Sequence, residues 1–315
     1  MELAVSEIKK VAYVFPGQGA QSVGMGKDLW ENFDTVKALF RQADEAAGCP
    51  LTKLIFEGPD EELRKTVNTQ PALVAVSIAC LRAAQEIAGG KLTAPVFLAG
   101  HSLGEYTALT AAGVIDFTTA VQLARERGRL MYEAGLKEPG TMAAVMGMEE
   151  ATLSQICFEA GVNIANLNSP GQLIISGAVN NITKATELAK AKGARVAPLA
   201  VSGAFHSPLM QPAVEGMYAA LAKVVFQNPA VPIISNVTAQ PLTDGSQFKD
   251  ELLKQLTSGV QWQKSVEYMV AQGVTSYYEI GPGKVLAGLI KRINKEVEVN
   301  NIGDFNGVKL VAGIA

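Results

Sequence analysis

The chain of 315 residues has two histidines, and one of them, His101, sits beside a serine in Gly100-His101-Ser102-Leu103-Gly104. This G-x-S-x-G pattern suits a nucleophilic serine raised on a sharp strand-to-helix turn. It equally fits a serine that caps the following helix. A serine hydroxyl needs a base to attack near neutral pH. Adjacent side chains diverge in a tight elbow, so His101 is expected to pack or hydrogen-bond beneath the turn. Elimination leaves His206, in Ser202-Gly203-Ala204-Phe205-His206-Ser207-Pro208, as the base. A loop histidine bonded to backbone is the alternative.

A second charge-bearing pattern follows the serine. Arg125, Arg127 and Arg129 share one helical stretch, and at about 100° per residue they part company. Arg125 and Arg129 project with Thr118 and Gln122, whereas Arg127 falls amid Ala120, Leu123, Ala124, Leu130 and Met131. A cation in an apolar stripe needs an anion, because an unpaired buried charge is costly. The anion is either an internal Asp or Glu or the carboxylate of a substrate, clamped by the guanidinium. Serine chemistry beside such a clamp points to an acyl group that itself ends in a carboxylate. The turn Gly17-Gln18-Gly19 lets main chain approach a ligand and aim an N–H at it. Together with the N–H of Leu103 it offers an oxyanion hole. A plain turn is the bland reading.

The elements that must position these groups read as α/β. The apolar run Val11–Phe15 is a buried strand closed by P-G-Q-G-A-Q, and helical periodicity extends from Lys27 to about Gly48. Gln70–Ile87 is helical, with Pro71 in its first turn. Pro95–Ala99 is a strand that feeds Ser102, and a helix covers 117–133. Between 138 and 202 the order is strand (Thr141–Gly147), helix (Glu149–Ala160), strand (Val162–Leu167), strand (Gln172–Gly177), helix (Asn180–Lys192), strand (Arg195–Val201). That β-α-β-β-α-β order is ferredoxin-like. It predicts a small subdomain at 138–202 inside a larger α/β body formed by 1–137 and 203–315. Helices at 211–225, 248–257, 265–272 and 285–295 and strands at 231–235 and 276–280 complete that body. Gly281-Pro282-Gly283-Lys284-Val285-Leu286 lacks phosphate-loop spacing and reads as a tight strand-to-helix turn. Gly17, Gly19 and Gly24 do not fit G-x-G-x-x-G.

Bulk composition narrows the function classes. Hydrophobic residues make up 48% and charged residues 18%, with a net charge of −3 and a pI near 5.6. No basic stripe with interleaved aromatics appears, so nucleic acid is not expected as a partner. Cys49, Cys80 and Cys157 are far apart and lack metal spacing, which predicts reduced thiols in the cytoplasm. M-E-L-A-V-S-E-I-K-K has no apolar core of a leader, and no apolar run is read as long enough to span a bilayer.

These stretches together resemble the malonyl-CoA:acyl carrier protein transacylases. The resemblance rests on F-P-G-Q-G-A-Q at 15–21, T-Q-P-A-L at 69–73, G-H-S-L-G-E-Y-T-A-L at 100–109, G-V-I-D-F at 113–117 and R-G-R-L-M at 127–131. N-S-P-G-Q at 168–172, F-H-S-P-L-M at 205–210, V-Q-W with K-S-V-E-Y-M within 260–269, and G-P-G-K-V-L at 281–286 continue it in order. The resemblance implies an α/β-hydrolase-like large subdomain carrying the ferredoxin-like one. It implies Ser102 as nucleophile, His206 as base, Arg127 against the malonyl carboxylate, and the N–H groups of Gln18 and Leu103 as oxyanion hole. It also implies that the main-chain carbonyl of Gln255, rather than an Asp, orients His206. Phe205 before the histidine resembles members that exclude α-methyl acyl groups. The expected partners are malonyl-CoA and acyl carrier protein, with no metal or other cofactor, no membrane, and a monomeric chain. A serine hydrolase of a carboxylate-bearing thioester, a polyketide-type acyltransferase and a non-catalytic binding homologue remain as alternatives.

Overall fold

A computed structural model describes residues 9–201 and 203–313. Residues 1–8, on which the absence of a leader was read, lie outside the described residues, as does Ser202 of the histidine loop. The strands are β1 (Lys10–Phe15), β2 (Phe97–Gly100), β3 (Gly140–Met146), β4 (Asn163–Ser169), β5 (Gln172–Ala178), β6 (Arg195–Pro198), β7 (Ile233–Ile234), β8 (Pro241–Leu242), β9 (Val274–Ile280) and β10 (Glu298–Ile302). The larger sheet has the order β10-β9-β1-β2-β7-β8 and is parallel throughout except at β7–β8. β1 is buried from Val11 to Phe15. Both its faces are covered, which is why it reads as an unbroken apolar run rather than an alternating one.

Register decides where the chemistry can sit. Phe15 pairs with Gly100 and Ala99 pairs with Ile234. The segments carrying Gln18, Ser102 and Asn236 therefore leave β1, β2 and β7 at one edge, the carboxyl ends of parallel strands, where open α/β sheets place ligands.

The second sheet has the order β4-β5-β3-β6, antiparallel throughout. Helices Glu150–Ala160 and Val179–Ala191 pack on it around a separate apolar cluster that includes Val145, Leu153, Leu167, Ile175 and Ala185. This is the ferredoxin-like arrangement, beside an α/β-hydrolase-like body. Val260 joins the two by pairing with β4: its N–H donates to Ala165 (2.8 Å), and Leu167 donates back to its carbonyl (2.9 Å).

Several elements depart from the sequence reading. The helix expected from Lys27 to Gly48 is two, Lys27–Asn32 and Asp34–Ala47, because Phe33 turns extended between them (φ −131°) and is buried against Phe305. Helix Thr66–Ala88 starts four residues before the expected Gln70, so Pro71 lies inside it rather than in its first turn. That helix is long and apolar enough to cross a membrane by length and composition, contrary to the reading that no run is. Of its most apolar stretch, 78% is buried within the fold. A helix apolar on every side is one that a core surrounds. The strand expected at 231–235 shrinks to Ile233–Ile234, and the tail adds β10 and helix Phe305–Val311.

Candidate active site

Ser102 stands between β2 and helix Gly104–Ala111 with φ of 52°, in the left-handed region. For a residue with a side chain this conformation is strained by about 1–3 kcal/mol and persists only where neighbours enforce it. Flanking glycines are a steric necessity here. A Cβ on Gly100 would lie 1.9 Å from the Gly104 carbonyl carbon, and one on Gly104 would lie 2.1 Å from the Phe15 oxygen. Two amide side chains then grip the serine's backbone. Asn236 Oδ1 accepts the Ser102 N–H at 2.7 Å, and Gln255 Nε2 donates to the Ser102 carbonyl at 3.1 Å.

The Ser102 hydroxyl lies 2.7 Å from His206 Nε2. On the far side of the ring, Nδ1–H donates to the Gln255 main-chain carbonyl at 2.8 Å. That bond fixes the tautomer and leaves Nε2 free to accept the serine proton. Burial, and secondarily the Arg127 charge, pull the imidazole down to about 3, so it is neutral at physiological pH. His101 takes the other course expected of it. Its ring packs 5.5 Å from Trp262, and its Nε2 bonds Asn168 Oδ1 at 2.8 Å.

Arg127 is 1% exposed, whereas Arg129 pairs with Glu126 and Glu133 at the surface. Arg127 donates to Gln70 Oε1 (2.7 Å), Gln255 Oε1 (2.8 Å) and Ser102 Oγ (3.2 Å), and lies 5.7 Å from the Tyr106 ring. Among the described residues it makes no ion pair, and its Nε has no acceptor. Every direct partner is neutral. Gln70 is itself fixed by donating to Thr66 Oγ1 at 2.7 Å, and the Thr66 hydroxyl donates to Gln18 Oε1 at 3.0 Å.

Ser102, His206, Arg127 and His101 line one cleft of about 190 Å³ between the two sheets' subdomains. Gln18 and Leu103 lie on its wall, and among the described residues neither main-chain N–H meets a protein acceptor. Phe205, Met131, Met142, Ile174 and Leu199 form its apolar lining. The structure thus brings Ser102, His206, Arg127, Gln18, Leu103, Gln255 and Phe205 together.

An acyl transferase domain model matches residues 12–305. The malonyl CoA-acyl carrier protein transacylase of Bacillus subtilis is 45% identical over 309 residues, 96% of each chain. This chain belongs to the malonyl-CoA:acyl carrier protein transacylase family. Among solved structures, an acyl carrier protein S-malonyltransferase from Vibrio cholerae superposes with a TM-score of 0.92 at 44% identity, covering 96% of this chain and 100% of that one. A malonyl-transacylase in complex with a type II polyketide acyl-carrier protein gives 0.93 at 40% identity, covering 97% and 99%.

Within this family member the residues that sequence reading missed are Gln70, Glu105, Asn168, Asn236 and the side chain of Gln255. Glu105 is fully buried. One of its oxygens accepts the Asn236 N–H (3.2 Å), and the other accepts from Gln255 Nε2. Burial and the Glu251 carboxyl push Glu105 upward, while the two donors and Arg127 oppose that rise. Both oxygens face N–H donors, so the carboxylate is the form that satisfies these contacts. Gln70 and Asn168 stand inside T-Q-P-A-L and N-S-P-G-Q, the signal that could have found them.

Proposed function

We propose that this protein transfers a malonyl group from malonyl-CoA to the phosphopantetheine thiol of acyl carrier protein, through a malonyl-Ser102 ester, in fatty acid synthesis. The observation that carries the reading is the Arg127 guanidinium. It is buried, has no counter-ion in contact among the described residues, and reaches to 3.2 Å from the Ser102 hydroxyl. An acyl group on Ser102 whose carboxylate lies one methylene from the ester carbonyl falls within its reach.

The Ser102 proton passes to His206 Nε2 as Oγ attacks the thioester carbon. The oxyanion is received by the N–H groups of Gln18 and Leu103. When the C–S bond breaks, His206 returns the proton to the departing CoA thiolate. The carrier thiol then gives its proton to His206 and attacks the ester carbon; as the C–Oγ bond breaks, His206 returns that proton to Ser102. The Gln255 carbonyl steadies the imidazolium at each stage. Phe205, on the cleft wall, would crowd an α-methyl branch. Residues 138–202 form the small subdomain in this reading, the free thiols of Cys49, Cys80 and Cys157 suit the reducing cytoplasm, and the chain acts as a monomer.

The test is to mix the protein with malonyl-, methylmalonyl- and acetyl-CoA and read the adduct by mass spectrometry. Malonyl on Ser102 is expected, and none in Ser102→Ala; an adduct retained elsewhere refutes the nucleophile. Arg127→Ala should cost malonyl transfer on the order of 2–4 kcal/mol more than acetyl transfer. Equal losses remove Arg127 from the clamp. The likeness to a transacylase bound to a polyketide carrier protein favours a second acceptor class, separable by comparing transfer to both kinds of carrier.

A further inference from the structure

Beneath Ser102 lies a buried group that the reaction itself does not use. The two oxygens of Glu105 each hold one of the two residues that grip the serine's backbone. Through Asn236, Glu105 bears on the Ser102 N–H, and through Gln255 on the Ser102 carbonyl. The Gln255 amide has a second task, because its oxygen fixes Arg127.

The donor and acceptor pattern allows one orientation of that amide. Turned over, its oxygen would face the Glu105 carboxylate and the Ser102 carbonyl, and its NH2 would face the Arg127 guanidinium. Three acceptors would meet on one side and two donors on the other, and the bonds from Gln255 to Glu105, Ser102 and Arg127 would be lost together. Glu105, with the Ser102 carbonyl and the Arg127 guanidinium, thus decides which way Gln255 points.

We propose that Glu105 is a positioning residue: one carboxylate holds Ser102 in its left-handed conformation and aims Arg127 at the acyl carboxylate through Gln255. The aim of Arg127 rests on the malonyl-transfer reading above; the grip on Ser102 does not. Glu105→Gln puts a donor NH2 where an acceptor oxygen stood, against either the Asn236 N–H or Gln255 Nε2. Where that NH2 meets Gln255, its amide must turn or withdraw and Arg127 keeps only Gln70 of its two amide partners; where it meets Asn236, the residue that accepts the Ser102 N–H is displaced.

The experiment measures rapid-quench acylation of Ser102 by malonyl-CoA and acetyl-CoA, each rate normalised to burst amplitude. Misfolded molecules lower the amplitude and leave the rate of the remainder alone. For Glu105→Gln, acetyl acylation is expected to fall about 10-fold and malonyl acylation about 100-fold, so the malonyl-to-acetyl ratio drops about 10-fold. Gln255→Met keeps the main-chain carbonyl for His206 and removes the amide; it should lower the ratio to a similar degree, and it serves if Glu105→Gln yields no folded protein. An unchanged ratio in either variant, with Arg127→Ala lowering it, overturns the aiming role. If Arg127→Ala also leaves the ratio unchanged, the carboxylate-clamp reading fails and the aiming role fails with it. The grip on Ser102 is then decided by acetyl acylation alone, where a rate within about two-fold of wild type overturns it.

Discussion

His206 titrates far from the ordinary histidine range, and its causes can be separated by experiment. Burial is the larger and the Arg127 charge the smaller. In the free enzyme His206, the proposed base, is therefore neutral well below pH 6.5, and kcat/KM for malonyl-CoA should stay flat from about pH 8 to about pH 5. Once an acyl carboxylate rests on Arg127, the repulsion on the imidazole is offset and its proton affinity rises. The acid limb of kcat should accordingly lie at higher pH than that of kcat/KM. An acid limb of kcat/KM near 6.5 would contradict the burial of His206. Three of the residues that meet here were legible in sequence because each was conspicuous: a serine between glycines, one of two histidines, an arginine in an apolar stripe. Asn236 was not, and Glu105 stood only as one letter of G-H-S-L-G-E-Y-T-A-L with no role read for it. Amide and carboxylate side chains are common along the chain, and these two gain meaning from contacts with partners 131 and more residues away.

Among the elements, the turn into helix Val285–Ile293 shows how a local pattern resolves. Its G-P-G-K-V-L looked faintly like a phosphate loop, but the amides at the helix start are occupied. Glu279, at the end of β9, accepts from Leu286 and Ala287 N–H, both at 2.9 Å. Burial pushes this carboxyl up to about 7. A raised folded value means that the native state holds the proton longer than the unfolded chain. Its contribution is full below about 4.5 and is lost as pH climbs towards about 7. Glu279→Gln removes that dependence, so its melting temperature should decline less than wild type's between those values. Parallel curves in thermal melts would contradict it. Long periodic helices and apolar strands were readable, whereas β10 was not. E-V-N-N-I carries two apolar residues, and it becomes a strand because β9 offers it an edge. The break at Phe33 escaped notice for a similar reason: a distant ring, Phe305, decides it.

The whole molecule depends on how the small subdomain docks. Gly259, next to the Val260 strap, passes so near β4 that a Cβ there would lie 2.4 Å from the Ile164 oxygen. Gly259→Ala should destabilise the protein by roughly 1–3 kcal/mol through overpacking. It should also slow acylation by malonyl- and acetyl-CoA alike, since it moves the cleft wall without touching Arg127. Thermal melts and both acylation rates check this, and loss confined to malonyl would point elsewhere. The order of subdomain elements was plain in sequence. Their docking was not, because it hangs on a close approach of backbone to backbone that no hydrophobic pattern encodes. The Ser102–His206 contact joins residues 104 positions apart, one ahead of the small subdomain and one behind it. A growing polypeptide that has emerged only as far as helix Phe117–Lys137 holds Ser102 and Arg127 but not His206. On the roles proposed for these residues, acylation of Ser102 awaits the synthesis, folding and seating of the whole intervening unit.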